Sequence, residues 1–338
     1  MGKKFISVIQ YIFFLGLGAG LFWLSIRKLD LHEVWQSMLG ADYWWMLLAL
    51  VFAILSHIVR ALRWNLLIGT LGYKTRLSST FFAVMVGYLA NTAVPRMGEF
   101  ARCGVLSKKE KIPFNALFGT VISERFFDLI TLMLIIFLVI IFQMDLLRNF
   151  LDTNFWPFFD NLFSNIDSII IFGVISLVLL GGFIWLVWIF KYAIKKMPFY
   201  HRVTDFLRGL WSGIKSIKNM PHKWLFVFYT IIIWLFYILM TYIPLKMLAE
   251  TSDLSFIDGL TLMAIASLGI VAPVPGGIGA YHYIVKVMLT ELWTVEANAA
   301  MSFATITHAA QTLMNVVVGA VSYFLLIFYA KKQPPLNE

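Results

Sequence analysis

Long runs of apolar residues alternate along this chain with short polar stretches. A helix rises ~1.5 Å per residue and the hydrocarbon of a bilayer is ~30 Å thick, so about 20 apolar residues are needed to cross it. Runs of that length lie at about 5–26, 43–68, 113–143, 168–190, 224–249 and 298–330. The first follows Lys3 and Lys4 but lacks a clean small-residue cleavage site, so an uncleaved span is expected. Two more runs, at about 78–106 and 255–290, are broken by proline and glycine: Val94-Pro95-Arg96-Met97-Gly98 and Pro273-Val274-Pro275-Gly276-Gly277. Proline lacks the backbone N–H and glycine loses most entropy on ordering, so neither suits a helix interior. Each broken run is expected to be a hairpin that enters the membrane and leaves on the same side.

Charge placement supports that reading. Lys74 and Arg76 precede the first broken run and Lys108, Lys109 and Lys111 follow it, whereas Glu250, Asp253 and Asp258 flank the second run on one side and Glu291 and Glu296 on the other. A crossing segment should have unlike flanks, because Lys and Arg accumulate on the cytoplasmic side. The first hairpin is therefore expected to dip in from the cytoplasm and the second from outside, with both termini cytoplasmic. Halves at about 43–143 and 224–330 then form an inverted repeat within one transmembrane domain, 1–338. Inverted repeats with broken elements place substrate near the midplane in transporters. The basic stretch at about 198–220, with apolar residues at helical spacing, predicts a helix lying on the cytoplasmic leaflet.

Composition agrees. Of 338 residues, 60% are hydrophobic and 13% charged, which a soluble domain of this size cannot bury. The net charge of +9 is the excess expected of cytoplasmic loops facing anionic lipid rather than of a nucleic-acid binder. One cysteine, Cys103, excludes an internal disulfide and a cysteine zinc cage. No nucleotide, metal or acyl-transfer motif is present, so the sequence predicts neither cofactor, metal site nor enzyme.

Ionised residues at membrane depth are kept near a partner, water or a ligand. Arg96, Glu99 and Arg102 follow the first break, with Glu99 and Arg102 on one helical face. Two arginines beside a helix start suit a phosphate, which guanidinium binds bidentately. Glu124, Arg125 and Asp128 follow in the next span, and cross-pairing of an acid with Arg96 or Arg102 would leave one arginine for substrate. In the second hairpin, Pro275, Gly276, Gly277 and Gly279 free the backbone for close approach to an anion. His282, and the stripe His308, Gln311 and Asn315, are expected to line a pathway or to bind helices together. Arg60 and Arg63, at the end of the second span near His57 and Trp64, are expected to snorkel to headgroups.

Pro95-Arg96-x-Gly98-Glu99-x-x-Arg102, Glu124-Arg125-x-x-Asp128 and Pro275-Gly276-Gly277-x-Gly279 together resemble the flippase-like transmembrane region of lysylphosphatidylglycerol synthases, over roughly residues 10–330. His282 stands near where that pattern leads one to expect an acid. The resemblance implies that Arg96, Glu99, Arg102, Glu124, Arg125 and Asp128 belong to a lipid-headgroup site. The chain ends at Glu338 without the synthases' aminoacyl-transferase domain, so synthase activity is not expected. The expectation is an all-α polytopic protein of a prokaryotic inner membrane that translocates an anionic phospholipid or a polyprenyl-phosphate-linked lipid, with a separate lipid-modifying enzyme as a partner. The alternatives are an accessory subunit of polyprenyl-phosphate glycosyl transfer and a non-transporting scaffold.

Overall fold

The structure, a computed structural model, describes residues 2–150, 152, 220–269, 274–332 and 336. The span expected at 168–190, all but the last residue of the interfacial helix expected at about 198–220, and Pro273 lie outside the described residues.

Every regular element among the described residues is helical. They are α1 (Gly2–Ile26), α2 (Leu31–Leu39), α3 (Tyr43–Gly69), α4 (Leu77–Ala93), α5 (Gly98–Glu110), α6 (Phe114–Phe142), α7 (Met144–Phe150), α8 (Lys223–Tyr242), α9 (Phe256–Gly269), α10 (Ala280–Trp293) and α11 (Ala297–Lys332). Four are long and apolar enough to cross a bilayer: α3, α6, α8 with the 3-10 turn that follows it, and α11. The bent pair α1–α2, with 88° between its arms, raises the number to five. The sequence reading did not anticipate α2. Its Asp30 caps the helix start by accepting from the His32 and Glu33 amides.

Exposed side chains identify the solvent. Along α6, Leu129, Met133, Leu134, Phe137, Leu138, Ile141 and Phe142 all face outward. An apolar surface this long and continuous belongs against lipid. Trp44 and Trp224, at the starts of α3 and α8, are each 77% exposed. The two helices run antiparallel, Phe52 meeting Phe236 and Arg63 meeting Thr230, so these indoles mark opposite ends of the bundle. The chain is an integral membrane protein.

Helices α4 and α5 are too short to cross separately, at ~25 Å and ~19 Å by their residue counts. They fold on one another as a hairpin. The Gly98 amide donates to Asn91 Oδ1 at 2.7 Å, and Gly87, one turn earlier on α4, packs against Gly98 and the Arg102 Cβ. Contacts thus recede from the break in opposite directions along the chain. A side chain at Gly98 would collide with the Gly87 carbonyl and the Asn91 amide. We expect Gly98→Val to cost about 1–3 kcal/mol through overpacking, read as a lower midpoint in a thermal unfolding assay in detergent.

The second broken run behaves alike. The Trp293 indole at the end of α10 donates to Asp258 at the start of α9, at 2.9 Å, so both arms open on the same side. Gln143, just past the end of α6, donates to that same carboxylate at 2.7 Å. The first hairpin opens at the other end of α6, since α5 ends at Glu110 and α6 begins at Phe114. The 29 residues of α6 span ~43 Å, enough to cross the whole bilayer. The hairpins therefore enter from opposite faces. A long span, a two-armed hairpin and a second long span occur in that order twice, as α3–α6 and as α8–α11.

Asp258 ties three pieces of chain together, also accepting from the Ser255 amide and hydroxyl at 2.8 and 2.7 Å. Asp258→Ala should loosen this mouth by about 1–3 kcal/mol, because three side-chain donors lose their acceptor. A melting temperature unchanged from wild type would count against the tie.

Candidate functional site

One face of each neighbouring helix supplies the polar centre. On α3, His57, Arg60, Trp64 and Leu67 recur every three or four residues and are buried; so are Leu117, Thr120, Val121 and Glu124 on α6, with Asp128 next in register. Arg60, Arg63, Arg102 and Glu124 are between 0 and 3% exposed.

Glu124 lies at the middle. Its Oε1 accepts from Arg60 at 2.5 Å and from Arg63 at 3.3 Å, and its Oε2 is 3.2 Å from Arg102 Nη1. Asp128, one turn on, takes Arg63 at 2.7 Å and Arg60 at 3.4 Å. Arg125 stands 3.8 Å from Asp128 and 3.6 Å from Glu99, and its side chain is 45% exposed. Arg60 also donates to the Tyr237 hydroxyl at 2.5 Å, and Arg63 to Thr230 at 3.1 Å. The Arg102 guanidinium lies over the Trp64 ring, 4.7 Å from its centroid, while the Trp64 indole donates to Thr120 at 2.8 Å.

Among the described residues this is one connected network of four arginines and three carboxylates. It carries one positive charge more than it balances. The Nη2 of Arg102 is buried and has no hydrogen-bond partner. Arg102 also lines a small, partly open cleft, together with Arg60, Gly87, Tyr88, Asn91, Gly98, Glu99 and Arg125 among others.

The structure thus brings together five of the residues singled out in the sequence: Glu99, Arg102, Glu124, Arg125 and Asp128. Arg96 is different. It is exposed, adopts a left-handed backbone at φ 63° in the break, and is not part of the cleft lining. The Gly98 amide at the start of α5 is already taken by Asn91.

Arg60 and Arg63 require a correction. They do not snorkel to headgroups but are buried within the ion network, because α3 continues to Gly69 and carries them inside the bundle. Tyr237, Tyr88 and Asn91 had not been singled out either.

The glycines of the second hairpin serve packing. Gly276, at φ 60°, faces the Thr92 carbonyl at the end of α4, so the two hairpin tips touch. Its own carbonyl is 2.8 Å from His308 Nε2. Pro275 is buried, and Gly277 lies near the His308 ring. Gly279, at φ 84°, lies against Gly18 of α1, where a side chain would overlap the Gly18 carbonyl. His282 is buried, accepts from the Gly279 amide at 3.4 Å, and stacks edge-on against Phe22 and obliquely with His308. Gln311 is half-buried, and the buried Asn315 Oδ1 has no hydrogen-bond partner.

Fold and site define a helical membrane protein with two opposed re-entrant hairpins and a buried arginine–carboxylate network near the tip of one of them. The chain belongs to the lysylphosphatidylglycerol synthase transmembrane-region family, whose model matches residues 8–319. It is similar to the UPF0104 membrane protein MJ1595 of Methanocaldococcus jannaschii, at 23% identity over 319 residues, covering 90% of this chain and 92% of the relative. No solved structure matches it.

Proposed function

We propose that this protein is a flippase-like lipid translocator of a prokaryotic cytoplasmic membrane, with both termini in the cytoplasm. Its cargo is a lipid with a phosphate in the headgroup, either an anionic phospholipid or a polyprenyl-phosphate-linked lipid. Arg102, with Arg60 and Arg125 beside it, holds that phosphate in the cleft. The protein carries the lipid and leaves its chemistry to a separate enzyme.

One observation carries the reading. A network that served only to lock helices together would be neutral, because an uncompensated buried charge is costly at membrane depth. Among the described residues this one has a surplus cation, and Arg102, one of whose buried nitrogens has no hydrogen-bond partner, lines the cleft. Two further features support it. Opposed hairpins that touch at their tips provide a closure on each side of the site, as alternating access requires. The family is named for enzymes of phospholipid modification.

The scaffold reading draws on the three arginines gathered by Glu124. Native mass spectrometry of gently purified protein separates the two. Removing Arg102 leaves three arginines and three carboxylates, so Arg102→Gln should stay folded. The wild type should retain a phosphate-bearing lipid, and occupancy should fall about tenfold or more in Arg102→Gln, as loss of a charge-assisted contact predicts. Equal retention in both proteins would favour the scaffold.

A further inference from the structure

The balance of the network also selects among phosphates. We infer that the cleft is matched to a singly charged phosphodiester and discriminates against doubly charged phosphomonoesters and diphosphates. This rests on the translocator reading and sharpens it to a substrate class.

Among the described residues, four arginines against three carboxylates leave room for one negative charge. A phosphodiester carries one. A phosphomonoester above its second ionisation carries close to two, and the second would be buried without a counter-charge beside Glu99 and Glu124. The shape of the site argues the same way. Glu99 lines the cleft with Arg102 and Arg125, so a carboxylate already stands next to the place of binding. It repels an excess of negative charge as a built-in limit. Gly87 and Gly98 close the cleft from the hairpin side with backbone rather than side chains.

Glu99 is the residue through which this can be tested. It is 27% exposed and its ion-pair partner, Arg125, is 45% exposed, so Glu99→Gln leaves the buried part of the network untouched. The variant raises the surplus from one charge to two. Protein in nanodiscs of phosphatidylcholine would be titrated at pH 8 with phosphatidylglycerol or phosphatidic acid of identical acyl chains, and bound lipid measured by native mass spectrometry. In the wild type the diester should be preferred about tenfold. In Glu99→Gln the preference should reverse or vanish, and in Arg125→Gln, with no surplus, binding of both should fall. A water-soluble glycerophosphodiester added in competition tells a free phosphate ester from a lipid. Displacement at equal concentration would mean that the site takes the headgroup without its lipid.

The inference is overturned if the wild type prefers phosphatidic acid, or if Glu99→Gln leaves the ratio unchanged while binding persists. Absence of specific binding of either lipid to wild-type protein would instead overturn the translocator reading itself. Size-exclusion profiles matching the wild type confirm that each variant is folded.

Discussion

Glu124→Gln is expected to prevent accumulation of folded protein. The glutamate is fully buried and is the common partner of Arg60, Arg63 and Arg102. Its replacement leaves four arginines against two carboxylates. Breaking a buried ion pair by removing one partner costs about 3–5 kcal/mol, a large share of the ~5–15 kcal/mol that stabilises a typical folded domain. Expression with a fluorescent tag and size-exclusion chromatography should show aggregated or absent protein. A second change distinguishes charge imbalance from loss of shape. Adding Arg63→Met returns the network to a surplus of one, and it should restore a measurable part of the folded peak. A Glu124→Gln protein as stable as the wild type would mean that the network does not hold the helices together.

Gly279→Val is the second large effect. Valine at φ 84° is strained, since the left-handed region costs a non-glycine residue roughly 1–2 kcal/mol. The added side chain would also collide with the Gly18 carbonyl, and Gly18 has no side chain to move aside. Overpacking adds about 1–3 kcal/mol, for a total near 2–5 kcal/mol. The start of α10 should lift away from α1 and weaken the bond from Lys286 to the Ser25 carbonyl, 2.8 Å in the intact protein. Cysteine accessibility at a position introduced near Ser25, read by a maleimide label, should rise. Labelling equal to wild type would show that the hairpin tip tolerates the strain.

Much of the fold could be read in the sequence because a bilayer imposes length. The runs at 43–68, 113–143, 224–249 and 298–330 correspond closely to α3, α6, α8 with its following turn, and α11. The hairpins were legible from proline and glycine together with the like charges at their mouths. Helix α2 was not, since its nine residues are amphipathic and shorter than any span.

The site divides differently. Arg102, Glu124 and Asp128 were legible because an ionised residue well inside an apolar run demands a partner. Arg60 and Arg63 stood near the end of their run, where snorkelling is an adequate physical account, and only the continuation of α3 puts them inside. A signal existed: Arg60 shares a helical stripe with Ala49, Ala53, Ser56 and His57, all buried, rather than with lipid-facing Leu48, Val51 and Leu55. Tyr88 and Tyr237 gave no such signal, because tyrosine in an apolar run looks the same whether it faces lipid or an arginine. The choice between Arg96 and Arg102 depends on how the break turns, and no spacing encodes that.

The network also constrains how the chain enters the membrane during synthesis. The first hairpin brings Glu99 and Arg102 into the hydrocarbon, but the acid that neutralises Arg102 belongs to α6, which leaves the ribosome later. With both termini in the cytoplasm, as proposed, Lys108, Lys109, Glu110 and Lys111, at or just beyond the hairpin's far end, need not be translocated at all, since both arms open on the cytoplasmic face. The hairpin can therefore wait at the surface until α6 is inserted beside α3, and dock once its counter-charges are in place. In that orientation, residues 77–110 would insert in the order of charge compensation rather than the order of the sequence.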